Sequence, residues 1–532
     1  MREYNLSATA NSLLGAVACG HAATADAAEQ VLRAGGNAFD AIIAAQFTAC
    51  VAEPVLTSLG GGGFLLAHPR ARAPVLYDFF VQTPRARTAS PDFHPIHADF
   101  GTTTQEFHVG LGAVATPGTV EGMFAIHEDL ASLPMSELVK PAVHAARHGV
   151  VINELQAYIL ELVSPIYAAS SDARQWHMRT GVGRLHTQPQ LAESLERLAD
   201  QGSRLFYEGE WAERIVAMCR AGGHLTLEDL AGYRVERRRP FGLQYRDVTL
   251  LTNPPPSSGG ILAGFALALL RDHDLQALGF GTQAHVALLA DAMYETNEAR
   301  VRVLASSHPQ GEAEGDGPAT LDAKLLTTYR QKLTQHAEFN RGTTHISVVD
   351  ATGNLAAMTL SNGEGCGHFV ADTGIMLNNM LGEEDINPNG FNQWHANQRM
   401  TSMMAPTLLE FPDARRIALG SGGSNRIRTA ILQVVSNLVD FGDAGQVAVE
   451  RPRLHVEDDR LSVEPGYSKA CVAALESRYT VERWDAQNLY FGGVHLVEHL
   501  IEKDTSGFAS AGDPRRGGVG RRGGVGRVIE ST

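Results

Sequence analysis

Cysteine is scarce in this chain and follows no pairing pattern: the five residues Cys19, Cys50, Cys219, Cys366 and Cys471 are odd in number, widely spaced and without a Cys-x-x-Cys. That excludes a disulfide framework and suits a reducing compartment. The opening residues Met1-Arg2-Glu3-Tyr4-Asn5-Leu6 lack the basic start and apolar core of a secretory signal, so the expected location is the cytoplasm. Long hydrophobic runs are missing as well. The longest, Ala41 to Leu56, is too short and too rich in small residues to span a bilayer; with Asn37 as N-cap and Asp40 in the first turn it reads as a buried helix. Positive charge is not in excess: the formal net charge is -15, which argues against nucleic acid or an anionic membrane as a main partner. No Gly-Lys dipeptide offers a phosphate-binding loop and no His-Glu-x-x-His a catalytic zinc, and the residues call for no metal or cofactor.

What remains is a length of 532 residues with an ordinary apolar share, enough for two or more average domains or one large layered one. The most informative run within it is Arg341-Gly342-Thr343-Thr344-His345-Ile346-Ser347-Val348-Val349-Asp350. Its β-branched residues predict a strand, and Asp350-Ala351-Thr352-Gly353-Asn354 predicts a tight turn into a second strand, Leu355 to Leu360. The plain reading is a hairpin carrying threonines. The chemical reading is a cleavage junction between Gly342 and Thr343 that frees an N-terminal threonine. A threonine hydroxyl is a poor nucleophile near pH 7 unless a base takes its proton, and its own freed α-amine, with a pKa of about 7.7 to 8.0, is within reach. Glycine at 342 permits backbone geometries that other residues resist.

Six further segments accompany this junction in a fixed order: Ala34-Gly35-Gly36-Asn37-Ala38-Phe39-Asp40-Ala41, Leu59-Gly60-Gly61-Gly62-Gly63-Phe64, Ala115-Thr116-Pro117-Gly118-Thr119-Val120, Pro254-Pro255-Pro256-Ser257-Ser258-Gly259-Gly260, Gly374-Ile375-Met376-Leu377-Asn378-Asn379 and Gly420-Ser421-Gly422-Gly423-Ser424. With Asp513-Pro514-Arg515-Arg516-Gly517-Gly518 near the end, they resemble the gamma-glutamyltransferase family of N-terminal-nucleophile hydrolases along nearly the whole chain. The resemblance implies an α+β fold, a four-layer α-β-β-α sandwich built from two chains cut from one precursor. Residues 1–342 would form a large subunit and 343–532 a small one, the two remaining associated, with a higher oligomer left open. Helices are expected between Ala22 and Ala52, around Ala284 to Val303 and from Arg428 to Phe441. The stretch Ser306 to Ala319 is expected to be an exposed loop. The repeated Arg-Arg-Gly-Gly-Val-Gly of residues 515–526 marks 513–532 as an expected disordered basic tail.

Acyl transfer also needs donors for an oxyanion. The Gly422-Gly423 pair, between a predicted strand Ile417 to Leu419 and a helix starting near Arg426, has no side chains to keep a bound carbonyl away from its N–H groups; the same pair could be a plain turn. The resemblance assigns it to the oxyanion hole. It also implies Ser361 beside the Thr343 amine and Asn362 facing the substrate's amino-acid head, although one residue is missing between them here. Glu383 stands where the family holds the substrate ammonium, and Ser402 matches one of two carboxylate-binding serines, its neighbour being Met403. Phe80, in Tyr77-Asp78-Phe79-Phe80, replaces the arginine that clamps the substrate carboxylate, a loss worth roughly 1.5 to 3 kcal/mol. Met380 replaces a polar position, and the stretch Leu381 to Arg399 is shorter than in relatives with a lid. Cys366, in a glycine-rich loop near the junction, reads as a passive thiol.

Three functions follow. The resemblance ranks first a γ-glutamyltransferase or glutathione hydrolase acting on a small-molecule amide. The second is an amidase or acylase of the same fold acting on a non-glutamyl amide, favoured by Phe80, Met380 and Met403. The third, a non-catalytic scaffold, sits poorly with an intact nucleophile and glycine pair.

Overall fold

The structure is a computed structural model, and it describes residues 15–99, 104–304, 319–320, 342–387, 390–502 and 505–523. Its strands come in chain order as β1 (Gly15–Cys19), β2 (Gly62–His68), β3 (Val75–Phe79), β4 (Glu236–Arg238), β5 (Phe241–Tyr245), β6 (Val248–Thr252) and β7 (Ala319–Thr320). Beyond the proposed junction lie β8 (Thr344–Asp350), β9 (Leu355–Ser361), β10 (Thr407–Glu410), β11 (Arg416–Gly422), β12 (Gly493–Glu502), β13 (Thr505–Ala511) and β14 (Val519–Gly523). They pair into two seven-stranded sheets, ordered β14-β1-β8-β9-β2-β3-β4 and β7-β5-β6-β10-β11-β12-β13. Each sheet draws strands from both sides of residue 343, so neither half owns a complete sheet.

The sheets face one another, and helices cover their outer faces. α1 (Ala22–Arg33) and α2 (Ala38–Ala52) pack on the first sheet; α3 (Gly259–Leu270), α4 (Gln283–Leu304) and α5 (Arg426–Val439) lie on the side of the second. This is the expected four-layer α-β-β-α sandwich. Every residue of β8 and β9 is buried, as befits central strands covered on both faces. Alternation along β8 sends Ile346 and Val348 into the helix-side core and Val349 into the core between the sheets. His345 sits level with Val349's face, and its ring fills the space where a Cβ on Gly420 of β11 would be. Its ring nitrogens reach Thr359 Oγ1 and Ser347 Oγ, both at 2.8 Å. Burial and the nearby His495 hold its pKa well below the usual range, so His345 is a neutral spacer between the sheets.

The local expectations hold closely. Asn37 caps α2 in a capping box with Asp40, and all fifteen residues of that helix are buried. Asp350 closes the turn into β9 by accepting from Thr352 N at 2.9 Å and Asn354 N at 3.1 Å, with Gly353 at φ 85°. α5 begins and ends two residues earlier than expected, and the loop expected at Ser306 to Ala319 lies outside the described residues except for Ala319, which opens β7.

One expectation is overturned. The tail expected to be disordered from 513 is ordered through residue 523: Pro514–Arg516 forms a turn of helix, and β14 pairs antiparallel with β1, Cys19 opposite Val519 and Gly15 opposite Gly523. Arg515 looks solvated in sequence but is paired inside. Arg453 Nη2 lies 2.5 Å from Asp513 Oδ2 and Arg515 Nη2 2.5 Å from Glu464 Oε2. Against the burial that would raise it, Arg453 and Arg515 hold the Asp513 carboxyl below the usual carboxylate range. Residues 524–532 lie outside the described residues. Breaking a buried pair strands its partner's charge, so Asp513→Ala should destabilise the protein by about 3 to 5 kcal/mol. Urea unfolding of the variant measures this, and a midpoint equal to wild type would return the segment to the status of a passive tail.

Candidate active site

Thr343 lies immediately before β8, and the register that sets Thr344 opposite Leu360 places it level with Ser361 at the end of β9. It is buried, 4 % exposed. Ser361 Oγ donates to the carbonyl oxygen of Gly342 at 2.6 Å and accepts from Gly363 N at 3.0 Å. Ser361 thus sits beside the junction, and in the continuous chain its partner is the carbonyl of the Gly342–Thr343 bond. On the other side of that residue, Gly342 N donates to Glu364 Oε1 at 2.8 Å.

Two residues that the sequence did not single out hold the next carbonyl and side chain. Arg516 Nη1 donates to Thr343 O at 3.3 Å. Thr344 Oγ1 donates to Glu53 Oε2 at 2.8 Å, and Thr24 Oγ1 to Glu53 Oε1 at 3.0 Å. Burial, with Arg426 adding to it, pushes the Arg516 guanidinium down to about 10, while burial raises the Glu53 carboxyl against its two threonine donors and Arg516. Arg516 belongs to the Asp513 segment that resembled the family, yet its composition read as tail. Glu53 offered one signal, an acid closing an otherwise apolar helix.

Thr343 and Ser361 open onto a cleft of about 300 Å³. Phe80, Glu383 and Ser402 line it too, so five of the expected site residues meet there. Met380, Ile386, Met403, Met404 and Ile427 make most of the remaining wall apolar, and Asp385 and Ser424 complete it. The Ser402 strip is set by the Pro254–Gly260 segment: Ser257 Oγ donates to Ser402 O at 2.9 Å and Ser258 N does so at 2.9 Å. Asn378 fastens three of the shared segments together, its Nδ2 donating to Gly60 O at 2.8 Å and Ala115 O at 2.9 Å.

Phe80 is fully buried and stacks on Phe64 with ring centroids 5.5 Å apart. The cation nearest to it in the fold, Arg399, is committed elsewhere. Its Nη1 donates to Phe80 O and to Tyr233 OH, and its Nε lies 3.4 Å from Asp78 Oδ1. Arg399 therefore holds the Phe80 backbone and does not line the cleft. Asn362 departs from expectation: it is fully buried, is not among the residues lining the cleft, and its amide faces the backbone of Gly61 and Gly365. The missing residue between Ser361 and Asn362 accounts for this, since a one-residue change in an extended chain turns a side chain to the opposite face.

Gly422 ends β11 directly against Thr343: a Cβ there would overlap Thr343 O. Gly423 has φ 121°, a conformation that side chains resist, and Ser424 follows at φ 53° with its Oγ donating to Asp385 Oδ2 at 2.7 Å. The pair thus lies beside Thr343 at the mouth of α5. Cys366 is buried, and burial pushes its thiol up to about 12, so it is inert. Among the described residues no group of three or more His, Cys, Asp or Glu is arranged to hold a metal ion, and no helix is long and apolar enough to cross a membrane.

Facing sheets between helix layers, with a buried threonine starting a central strand, define the architecture of the N-terminal-nucleophile hydrolases. The fold matches the crystal structure of cephalosporin acylase from Bacillus halodurans with a TM-score of 0.80 over 98 % of both chains, at 22 % identity. Residues 24–522 match the gamma-glutamyltranspeptidase model, and the chain belongs to that family of acyltransferases and hydrolases. It is 30 % identical to the glutathione hydrolase proenzyme of Escherichia coli (strain K12), across 87 % of this chain and 85 % of that one. It is 29 % identical to the acylase ACY 1 proenzyme of Pseudomonas sp. (strain V22), across 87 % and 86 %.

The glycine pair gives a direct test. Gly422→Ala or Gly423→Val should lower amide turnover by a factor on the order of 10² or more, the cost of losing one oxyanion donor. Steady-state kinetics on protein already divided into two chains would measure it; near-normal kcat would show that these amides face away from the reacting carbonyl.

Proposed function

We propose that the chain is a self-cleaving amidohydrolase or acyltransferase that cuts its own Gly342–Thr343 bond and then works through an acyl ester on Thr343. The observation that carries this reading is the Ser361 hydroxyl 2.6 Å from the Gly342 carbonyl oxygen, at the one peptide bond whose cutting puts a free amine on a cleft-lining threonine. In the mature enzyme the Thr343 amine takes the proton from Oγ, Oγ attacks the substrate carbonyl, and the Gly422–Gly423 amides receive the oxyanion. The leaving amine departs with a proton, and water or an acceptor amine then releases the acyl group. Shared sheets keep the two chains together after cutting. The proenzyme names of the glutathione hydrolase and acylase relatives support processing of this kind.

For the substrate, the family resemblance ranks a γ-glutamyl compound such as glutathione first, with Glu383 on the ammonium and Ser402 on the carboxylate. The cleft lining favours the second reading, an acylase for a non-glutamyl amide. Glu383 and Asp385 line it together with Phe80, and three methionines occupy much of the wall. A substrate α-carboxylate would meet two acids and a phenyl ring, whereas an apolar acyl group with or without an amine finds complementary surface. The five buried, unpaired cysteines fit a reducing compartment, and the cytoplasm is the location proposed.

Thr343→Ala should remain a single full-length chain on a denaturing gel and have no amidase activity; division of that variant into two bands would remove the junction from consideration. Phe80→Arg separates the substrate readings. If the donor is glutamyl, the restored guanidinium raises γ-glutamyl-anilide turnover. If it is apolar, the variant buries an unpaired charge, and hydrolysis of simple acyl amides falls without any glutamyl gain.

A further inference from the structure

We propose that Glu364 positions the Gly342–Thr343 bond for self-cleavage. This rests on the reading of Gly342–Thr343 as the cut junction and adds to it a positioning residue.

Glu364 is buried, 3 % exposed, on a turn between Gly363 (φ 61°) and Gly365 (φ 90°). Both glycines adopt left-handed backbone, and a Cβ on Gly363 would overlap the Asn379 amide oxygen and the Glu383 carboxylate. The turn is fastened from outside, Glu364 N donating to Asn379 Oδ1 at 3.0 Å. It carries the carboxylate to Gly342 N at 2.8 Å, while Ser361 reaches Gly342 O at 2.6 Å. A single residue is therefore gripped at its N–H by an acceptor and at its C=O by a donor. Two such bonds fix the peptide planes on both sides of its α-carbon, and with them the direction from which Thr343 Oγ approaches the carbonyl carbon.

The step served by this grip is an acyl shift followed by hydrolysis. Thr343 Oγ adds to the Gly342 carbonyl carbon, the C–N bond breaks, and the hydroxyl proton passes to the Thr343 nitrogen, leaving an ester and a free amine. Water splits the ester, returning the hydroxyl to Thr343 and leaving a carboxylate on Gly342. Glu364 and Ser361 both act on the residue whose carbonyl carbon is attacked, one through its N–H and the other through its C=O.

Glu364→Ala, Glu364→Gln and Thr343→Ala expressed as the full chain test this. Division into two bands, followed over time on a denaturing gel, should slow on the order of 10- to 100-fold in Glu364→Ala, the cost of leaving the buried Gly342 N–H without its acceptor. Glu364→Gln keeps an acceptor oxygen and should divide near the wild-type rate. Glu364→Ala dividing at the wild-type rate would overturn the positioning role. If Glu364→Ala does not fold, Glu364→Gln still decides the point, since division slowed about 10-fold or more with the acceptor oxygen kept would reject the acceptor role. Division of Thr343→Ala would instead reject the junction itself, independently of Glu364.

Discussion

The start of β8 is held by four side chains and by the close approach of one glycine backbone, and the site depends on that grip. Glu53 comes from the end of α2, Ser361 from the end of β9, Glu364 from the following turn, Gly422 from β11 in the opposite sheet and Arg516 from the last ordered turn. Between them they bind the amide of Gly342, its carbonyl, the carbonyl of Thr343 and the hydroxyl of Thr344. Under the proposed function, a Thr343 held by so many contacts would lose little entropy on reaching its reactive geometry, the condition for both a first cut and repeated acyl transfer. The cost is desolvation, visible in the depressed Arg516 and raised Glu53.

That grip explains why the C-terminal segment is buried. Arg516 reaches Thr343 only because Asp513 and Arg515 are locked by Arg453 and Glu464, and because β14 continues the first sheet past β1. Buried ion pairs of this kind contribute modestly to net stability but fix one arrangement among several. Here that arrangement brings a guanidinium to the nucleophile's own carbonyl. The packing between the sheets follows the same logic, with neutral His345 spanning to Gly420 and its polar atoms met by Thr359 and Ser347.

Substrate choice rests on a smaller set of groups. Phe80 occupies a position prepared for it by Phe64 on one side and by Arg399 and Tyr233 gripping its carbonyl on the other. The positive charge near this corner has not vanished from the fold; it has been drawn into a structural network with Asp78 and removed from the cleft. Two carboxylates and three methionines remain in the cleft lining, and the proposed preference for a non-glutamyl acyl group rests on them.

The sequence by itself determined the local elements and pointed to the candidate site residues. Periodicity and capping marked α2 with Asn37 and Asp40, the turn at Asp350–Asn354, the strands flanking it, and the strand-to-helix step carrying Gly422 and Gly423. These are encoded within a few residues, where backbone preference and local hydrogen bonds act. Only the tertiary structure decided the partners. The sequence placed Ser361 near the junction but not which atom it holds, it turned Asn362 toward the substrate where the shortened loop turns it away, and it gave no role to Glu53, Glu364 or Arg516. A charged residue reads as solvated until the fold supplies its counter-charge. For Arg515 and Asp513 that partner, Glu464 or Arg453, lies about 50 or 60 positions away along the chain, beyond what local pattern can reach.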